Sequence, residues 1–440
     1  MRLPRRLSGV LGCAVAAAGA GWTGASTVAV GGATPLAGSV ARTGQSGWHV
    51  AGEYGLYVAF TGAGLEVRWL TEEERPGLVR AIVDGRVADE QKTESGYAHA
   101  ARLRVRAPEV TLEYGAGPPE GAGGAAPLHR TRIWAEPPPP EVDLTGHDSV
   151  FVFGDVHGEF DRVVSLLGRA GLIDAEGRWT GGDAAVAFLG DLFDRGNDVT
   201  RLLWFVYGLE REATAAGGRV ITLLGNHEAM VLTGDLRYVA PKEQTIGELH
   251  GMAYETLFDP ERSVLGDWIA AKPGLVRLGD LLFAHGGVSP AYVDSSLGEY
   301  QDTLVTFIEE PLFTRWRDEA FLREYVRETR RDPARIYRRY DFFFGPESVL
   351  WYRDLVLTDT LGGHLDAVLE RYGARIHVVG HTPVRTIRES YGGKLIAADL
   401  LDAAVEMLRL VRRRDGGWNR TVIRLDGGTV TLNSAANPGV

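Results

Sequence analysis

Between residues 150 and 381 the chain repeats one pattern five times: a short apolar run stops at a glycine with an aspartate, asparagine or histidine beside it. Val150-Phe151-Val152-Phe153 runs into Gly154-Asp155-Val156-His157-Gly158, and Ala185-Val186-Ala187-Phe188-Leu189 into Gly190-Asp191-Leu192-Phe193-Asp194-Arg195-Gly196. Val220-Ile221-Thr222-Leu223-Leu224 leads to Gly225-Asn226-His227-Glu228, and Ala284-His285-Gly286-Gly287 and Gly380-His381-Thr382 follow. The apolar runs read as buried strands, and Phe160 to Ala170 continues the first loop with helical spacing. Strand, polar loop and helix then recur, which predicts an α/β sheet with its functional loops at the carboxyl ends of the strands.

Each glycine lets the backbone turn and leaves room for a ligand. Taken singly, a Gly-Asp at a strand end is ordinary turn chemistry, and a lone His285 or His381 would more often be a hydrogen-bonded structural histidine. All five at strand exits point to a shared metal site. Mixed Asp, Asn and His donors suit a pair of divalent cations: a carboxylate can bridge both, and the set leaves positions open for water and substrate. Manganese, iron and zinc all fit such donors. Two such ions, about 3.5–4 Å apart, acidify a bridging water and stabilise both the attacking and leaving oxygens of a displacement at phosphorus. The sole cysteine, Cys13, excludes internal disulfides, thiolate zinc sites and a cysteine nucleophile in the body of the chain.

These segments resemble the core motifs GDxHG, GDxxDRG, GNHE, HGG and GH of the phosphoprotein phosphatase family of calcineurin-like metallophosphoesterases, over roughly residues 148–400. Trp351-Tyr352-Arg353 and the run from His285 to Pro290 look like the bacterial-type Shewanella-like phosphatases. The resemblance implies a four-layer α/β metallophosphoesterase sandwich. It places Asp155 and His157 on a first metal, Asp191 as the bridge, and Asn226, His285 and His381 on a second. Arg195 and Arg353 would clamp the phosphate, with Asn226 also touching a phosphate oxygen; two parallel guanidinium donors match a phosphate well. The alternative for Arg353, a surface arginine beside two aromatics, is the lesser reading. His227 would act as general acid, its tautomer held by Asp194, and Glu228 would support the ligands. Eukaryotic members carry a SAPNYC-like stretch where this chain reads Leu395-Ile396-Ala397-Ala398-Asp399-Leu400, so sensitivity to the natural toxins that inhibit them is not expected.

Ahead of this region, Arg2, Arg5 and Arg6 precede a small apolar run from Leu7 to Trp22, the pattern of an export signal over 1–25. Val10-Leu11-Gly12-Cys13 resembles a lipobox, which offers a lipid anchor at Cys13 as an alternative to cleavage near Ala20 to Ala25; an organelle transit peptide is a lesser alternative. The expectation is a periplasmic or extracellular protein. A Gly/Ala/Ser/Thr-rich linker occupies 26–47, and short alternating runs over 48–136 predict a small all-β, fibronectin-like sandwich. Pro137 to Pro140 opens a stiff spacer to 147, and the catalytic domain would span 148–435. Its stretch at about 290–350 is rich in charge and aromatics, including Trp316, Tyr325, Tyr337 and Tyr340, and reads as a helical insertion over its own small core or as a substrate-selecting cap. A net charge of −11 argues against nucleic-acid binding. The expected activity is hydrolysis of phosphomonoesters, on phosphorylated proteins or small phosphoesters. The alternatives are a nucleotide or dinucleoside-polyphosphate hydrolase or phosphodiesterase on the same core, and a non-catalytic exported binding module.

Overall fold

The computed structural model describes residues 55–117, 128–137, 139–315, 319–329 and 333–432. The expected leader, linker and Cys13 lie outside these residues, as does Trp316. Among the described residues no helix is long and apolar enough to cross a membrane.

Strands β1 (Tyr57–Thr61), β2 (Gly64–Val83), β3 (Arg86–Leu103), β4 (Glu109–Ala116) and β5 (His129–Trp134) form one antiparallel sheet. The expectation is a small all-β sandwich; the described strands hydrogen-bond into one sheet rather than two facing ones. The reason is that β2 and β3 pair side by side from Leu65↔Leu103 to Val83↔Arg86, with register shifts such as that between Leu70 and Arg75. Two of the short alternating runs, Leu65 to Leu70 and Leu78 to Val83, are thus the two halves of β2. Asp84-Gly85, both at positive φ, turn the chain between β2 and β3, as a two-residue Asp-Gly hairpin requires.

This sheet shares its hydrophobic core with the rest of the molecule, where Val67, Trp69 and Leu112 belong to the same buried cluster as Phe153 and Trp204. Trp204 Nε1 donates to Leu56 O at 2.8 Å, and Trp134 N donates to Tyr207 Oη at 3.0 Å.

Two six-stranded sheets make up the body. One is ordered β13-β14-β12-β11-β10-β6, from β13 (Arg388–Ser390), β14 (Leu395–Ala397), β12 (Ile376–Val379), β11 (Leu281–Ala284), β10 (Leu275–Leu278) and β6 (Asp143–Leu144). The other is β17-β16-β15-β7-β8-β9, from β17 (Thr429–Thr431), β16 (Trp418–Arg424), β15 (Glu406–Arg412), β7 (Ser149–Phe153), β8 (Ala185–Phe188) and β9 (Arg219–Thr222). Period-two alternation explains how they stack. Val150 and Val152 join Val276, Phe283, Val378 and Ile396 in one cluster between the sheets, while Phe151 and Phe153 point to the opposite face, where the helices Phe160–Arg169 and Val199–Ala215 cover them. Strands β7, β8 and β9 are mutually parallel, as are β11, β12 and β14. Three carboxyl ends from each sheet therefore deliver loops to one edge of the stack.

In the 290–350 stretch the described helices include Leu297–Ile308 and Pro333–Phe344. Tyr300 stacks on Phe342 with ring centroids 5.0 Å apart, and Phe307 meets Phe342 edge-on. These aromatics pack against one another between the two helices.

Behind the active edge, Glu243 is buried and accepts from Thr200 Oγ1 at 2.6 Å, tying the helix Pro241–Leu249 to the start of Val199–Ala215. Burial pushes its carboxyl up to about 7 from 4.5, against the pull of the Thr200 donors. The folded protein holds this proton where the unfolded chain releases it, so the associated stability is full below about pH 4.5 and is lost as pH rises through about 7. Relative to Glu243→Gln, the wild type should lose up to about 3 kcal/mol between pH 5 and 8. Melting curves across that range check this; a gap between the two proteins that is constant with pH would refute it.

Candidate metal centre and active site

The loops after five of the six converging strands carry the expected residues. Asp155 and His157 follow β7, Asp191, Asp194 and Arg195 follow β8, and Asn226 and His227 follow β9; from the second sheet, His285 follows β11 and His381 follows β12. All of these but Arg195 are at most 4% exposed. Among the described residues eight non-glycines have positive φ, and five of them are His157, Asp191, Asp194, Arg195 and His381, with φ between 43° and 69°. Left-handed backbone at such residues is costly and is held by surrounding structure, here around the site itself. Two glycines are required by close approach: a Cβ on Gly225 would lie 2.3 Å from Asp191 Oδ1, and one on Gly380 2.7 Å from Asp155 Oδ1.

Asp191 is common to two clusters, His157–Asp191–His227 and Asp191–His285–His381, in each of which the donor atoms lie within 4.8 Å of one another. Asp155 Oδ2 is 3.9 Å from His157 Nε2, and Asn226 Oδ1 is 2.8 Å from His285 Nε2. The structure thus brings together all six residues expected to hold metal.

Several side chains are locked from behind so that one atom faces inward. His157 Nδ1 pairs with Phe193 O at 2.8 Å and His285 Nδ1 with Leu189 O at 2.8 Å, which presents Nε2 to the site in both. Glu228 is wholly buried and accepts from the backbone N–H of Asp191 (2.8 Å), Leu192 (2.7 Å) and Gly225 (2.7 Å). It fixes the Asp191 loop against the Asn226 helix and does not face the site.

The site is shaped for cations. His157 Nε2, Asp191 Oδ2 and His381 Nε2 are buried and have no hydrogen-bond partner among the described residues, a costly arrangement unless a ligand completes it. Burial lowers His157 to about 4 and, with the neighbouring His285 and Arg353, lowers His381 to about 2, so both offer neutral lone pairs. Burial, then Asp399 and Asp191, drives Asp155 well above the carboxylate range, while His285 is raised to about 10 because Asp191 and Asp155 outweigh its burial. This concentration of buried carboxylates is a field that divalent cations would neutralise, and a metal at His285 would have to displace its proton.

On the far side of Asp191, His227 Nδ1 pairs with Asp194 Oδ2 at 2.6 Å, and its Nε2 lies 3.3 Å from Arg195 Nη2. Arg353 Nη1 donates to His381 O at 2.8 Å. Both arginines act on the buried carboxyl of Asp399, which places their charge at the same pocket.

Two residues escaped the sequence reading. Asp399 follows β14 and is 3% exposed; burial, then Asp191, raises it to about 7. Its signal was present as a sixth apolar run ending at an aspartate, hidden because no glycine adjoins it: Ala398 precedes Asp399 and Leu400 follows. Tyr238, exposed beside His227, has no strand before it and gave no periodic signal.

The profile of calcineurin-like phosphoesterases matches residues 149–385, more than half of the chain. The chain belongs to this family. Within the calcineurin-like phosphoesterases it lies close to the Shewanella-like phosphatases of the phosphoprotein phosphatase group. Shewanella-like protein phosphatase 2 of Arabidopsis thaliana is 43% identical over 95 residues, covering 22% of this chain and 24% of the relative. The symmetrical bis(5'-nucleosyl)-tetraphosphatase of Neisseria meningitidis is 28% identical over 142 residues, 32% of this chain and 44% of the relative. The matched stretches thus span less than half the length of these two relatives. The crystal structure of a cold-active protein-tyrosine phosphatase from a psychrophilic Shewanella superposes with a TM-score of 0.63 at 25% identity, covering 86% of this chain and 99% of that one.

Proposed function

We propose that this calcineurin-like phosphoesterase hydrolyses phosphomonoesters on phosphorylated proteins. The observation that carries the reading is the meeting, at one buried pocket, of two clusters sharing Asp191 with an imidazole and a guanidinium aimed at the same place. Asp155, His157 and Asp191 would hold one divalent ion, and Asp191, Asn226, His285 and His381 a second; manganese, iron or zinc suit these donors. When bound, such ions supply Lewis acidity, acidifying water and neutralising phosphoryl charge. The chain's own groups do the rest. Arg195 and Arg353 bind and orient the phosphate, and the Asp194-held His227 gives a proton to the departing oxygen. A module that only binds has no use for that paired imidazole.

The likeness to Shewanella-like and protein-tyrosine phosphatases supports a phosphoprotein substrate. The likeness to a bis(5'-nucleosyl)-tetraphosphatase favours a second reading, a dinucleoside-polyphosphate hydrolase with the same pocket. Export through the leader at 1–25 is part of the proposal, and an extracytoplasmic phosphoprotein would then be the target.

The test is a panel on the metal-loaded protein: phosphopeptides, diadenosine tetraphosphate and bis-nitrophenyl phosphate under the same conditions. Phosphopeptides should show the highest kcat/KM. Preference for the tetraphosphate selects the second reading, and no turnover of any substrate rejects both.

A further inference from the structure

We propose that Tyr254 is a positioning residue for the proton donor: its hydroxyl holds Oδ1 of Asp194, so that Oδ2 stays on His227 when the leaving oxygen departs. The inference rests on the reading of His227 as the acid. Asp194 is 1% exposed, and its Oδ2 pairs with His227 Nδ1 at 2.6 Å. Its Oδ1 is buried and has no hydrogen-bond partner among the described residues. The hydroxyl of Tyr254 is in the same condition, buried and without a partner among those residues. An acceptor and a donor, each unmet, thus lie behind one imidazole.

Packing brings the two together. Tyr254 opens the short 3₁₀ helix Tyr254–Phe258, and its ring lies 5.1 Å from that of Phe258. Phe258 in turn meets Phe193, the residue before Asp194, edge-on at 4.8 Å. On the other side stands the helix Pro241–Leu249, where Glu243 and Gly247 lie one turn apart on the same face. A Cβ on Gly247 would sit 3.1 Å from Tyr254 N and Cα, so the missing side chain lets Tyr254 lean on the face that carries Glu243. Both carboxyls act on the hydroxyl: burial, then Glu243 and Asp194, pushes it well above its ordinary value, and it remains a protonated donor at any working pH. The bland account is a core tyrosine whose hydroxyl belongs to Glu243. Glu243, however, already accepts from Thr200 Oγ1 at 2.6 Å and from Thr200 N at 3.3 Å. Asp194 Oδ1 has no such donor, and a buried carboxylate oxygen left unpaired is costly. The hydroxyl therefore serves Asp194, directly or through one water, and keeps the carboxylate from swinging away from the imidazole.

The test uses the metal-loaded full chain and two esters that differ in their leaving group, phenyl phosphate and p-nitrophenyl phosphate. Phenolate needs the acid's proton, and nitrophenolate leaves with little help. Tyr254→Phe keeps the ring against Phe258 and deletes only the hydroxyl. It should lower kcat on phenyl phosphate about tenfold, near the low end of what a hydrogen bond to a charged group is worth, and on p-nitrophenyl phosphate by less than about twofold. Tyr254→Met also lacks the hydroxyl, should show the same split, and serves where the phenylalanine variant does not fold. Asp194→Gly removes the carboxylate and suits the φ of 69° at that position. In that background Tyr254→Phe should lower kcat on phenyl phosphate by less than about twofold further, because the group it acts through is gone. Equal losses on both esters from Tyr254→Phe, no loss on either, or a full further loss in the Asp194→Gly background would overturn this assignment alone, so long as His227→Asn loses far more on phenyl phosphate. Equal losses on both esters from His227→Asn itself would remove the acid, and this assignment with it.

Discussion

Exchange of Asp191 for asparagine is expected to lower kcat by more than about a thousandfold, the loss of several kcal/mol of charge stabilisation at the transferring phosphoryl group. Asparagine is the informative substitution for two reasons. Asp191 has φ 54°, and asparagine tolerates that left-handed backbone better than alanine. It also keeps an oxygen to accept from His227 N, a bond now 2.9 Å long. The geometry of the loop should survive, then, while the one carboxylate common to both donor clusters loses its charge. The position is unusual electrically as well. Burial works to raise Asp191, yet His285 and His227 prevail and hold it well below the ordinary carboxylate range. Removing it leaves His285 and His227 without their strongest counter-charge. Elemental analysis of the purified variant should show less than the two equivalents of metal expected of the wild type, with the far-UV circular dichroism unchanged. A variant that keeps both full metal content and full turnover would falsify the bridging role.

Much of the site was legible because its physics is local. Gly-Asp, Gly-Asn and Gly-His at the ends of apolar runs record two demands in one short segment: a buried strand, and a backbone turn close to a ligand. Gly225 and Gly380 meet the second demand directly, each set against a carboxylate it would strike if it bore a side chain. Asp399 faces the same pocket but follows an alanine, so only the fold reveals it.

The β-sheet was read less well because β3 is mostly exposed on both faces: Arg86 to His99 contains one buried residue, His99. A strand without a buried side has no alternation to detect. Once β3 is added, both halves of β2 have the same partner, and the separate sheets expected from broken apolar runs become one. Tyr254 lies beyond sequence reading for another reason. Its meaning depends on Asp194, which reaches it through the fold and not through spacing.

Replacing His227 by asparagine is expected to lower kcat on phosphopeptides by about a hundred- to ten-thousandfold, the usual range for loss of a general acid. The size should depend on the leaving group. An alkoxide departing from phosphoserine needs the proton most, and a nitrophenolate needs it least, so the variant should lose far less activity on p-nitrophenyl phosphate. A role confined to holding the loop, through the side-chain contact with Asp194, would instead lower both equally.

The pH profile gives a second reading of the same group. Burial works against the charged imidazole, but Asp191 and the 2.6 Å bond to Asp194 outweigh it, so His227 is raised above its ordinary value. An acid works only while protonated, so kcat falls as pH rises through that raised value. Asp194→Asn removes an anion and weakens the hydrogen bond; the imidazolium is less favoured, and the fall should begin at lower pH. Retention of the wild-type alkaline limb in Asp194→Asn, together with an equal loss on both leaving groups in His227→Asn, would assign the proton to another donor.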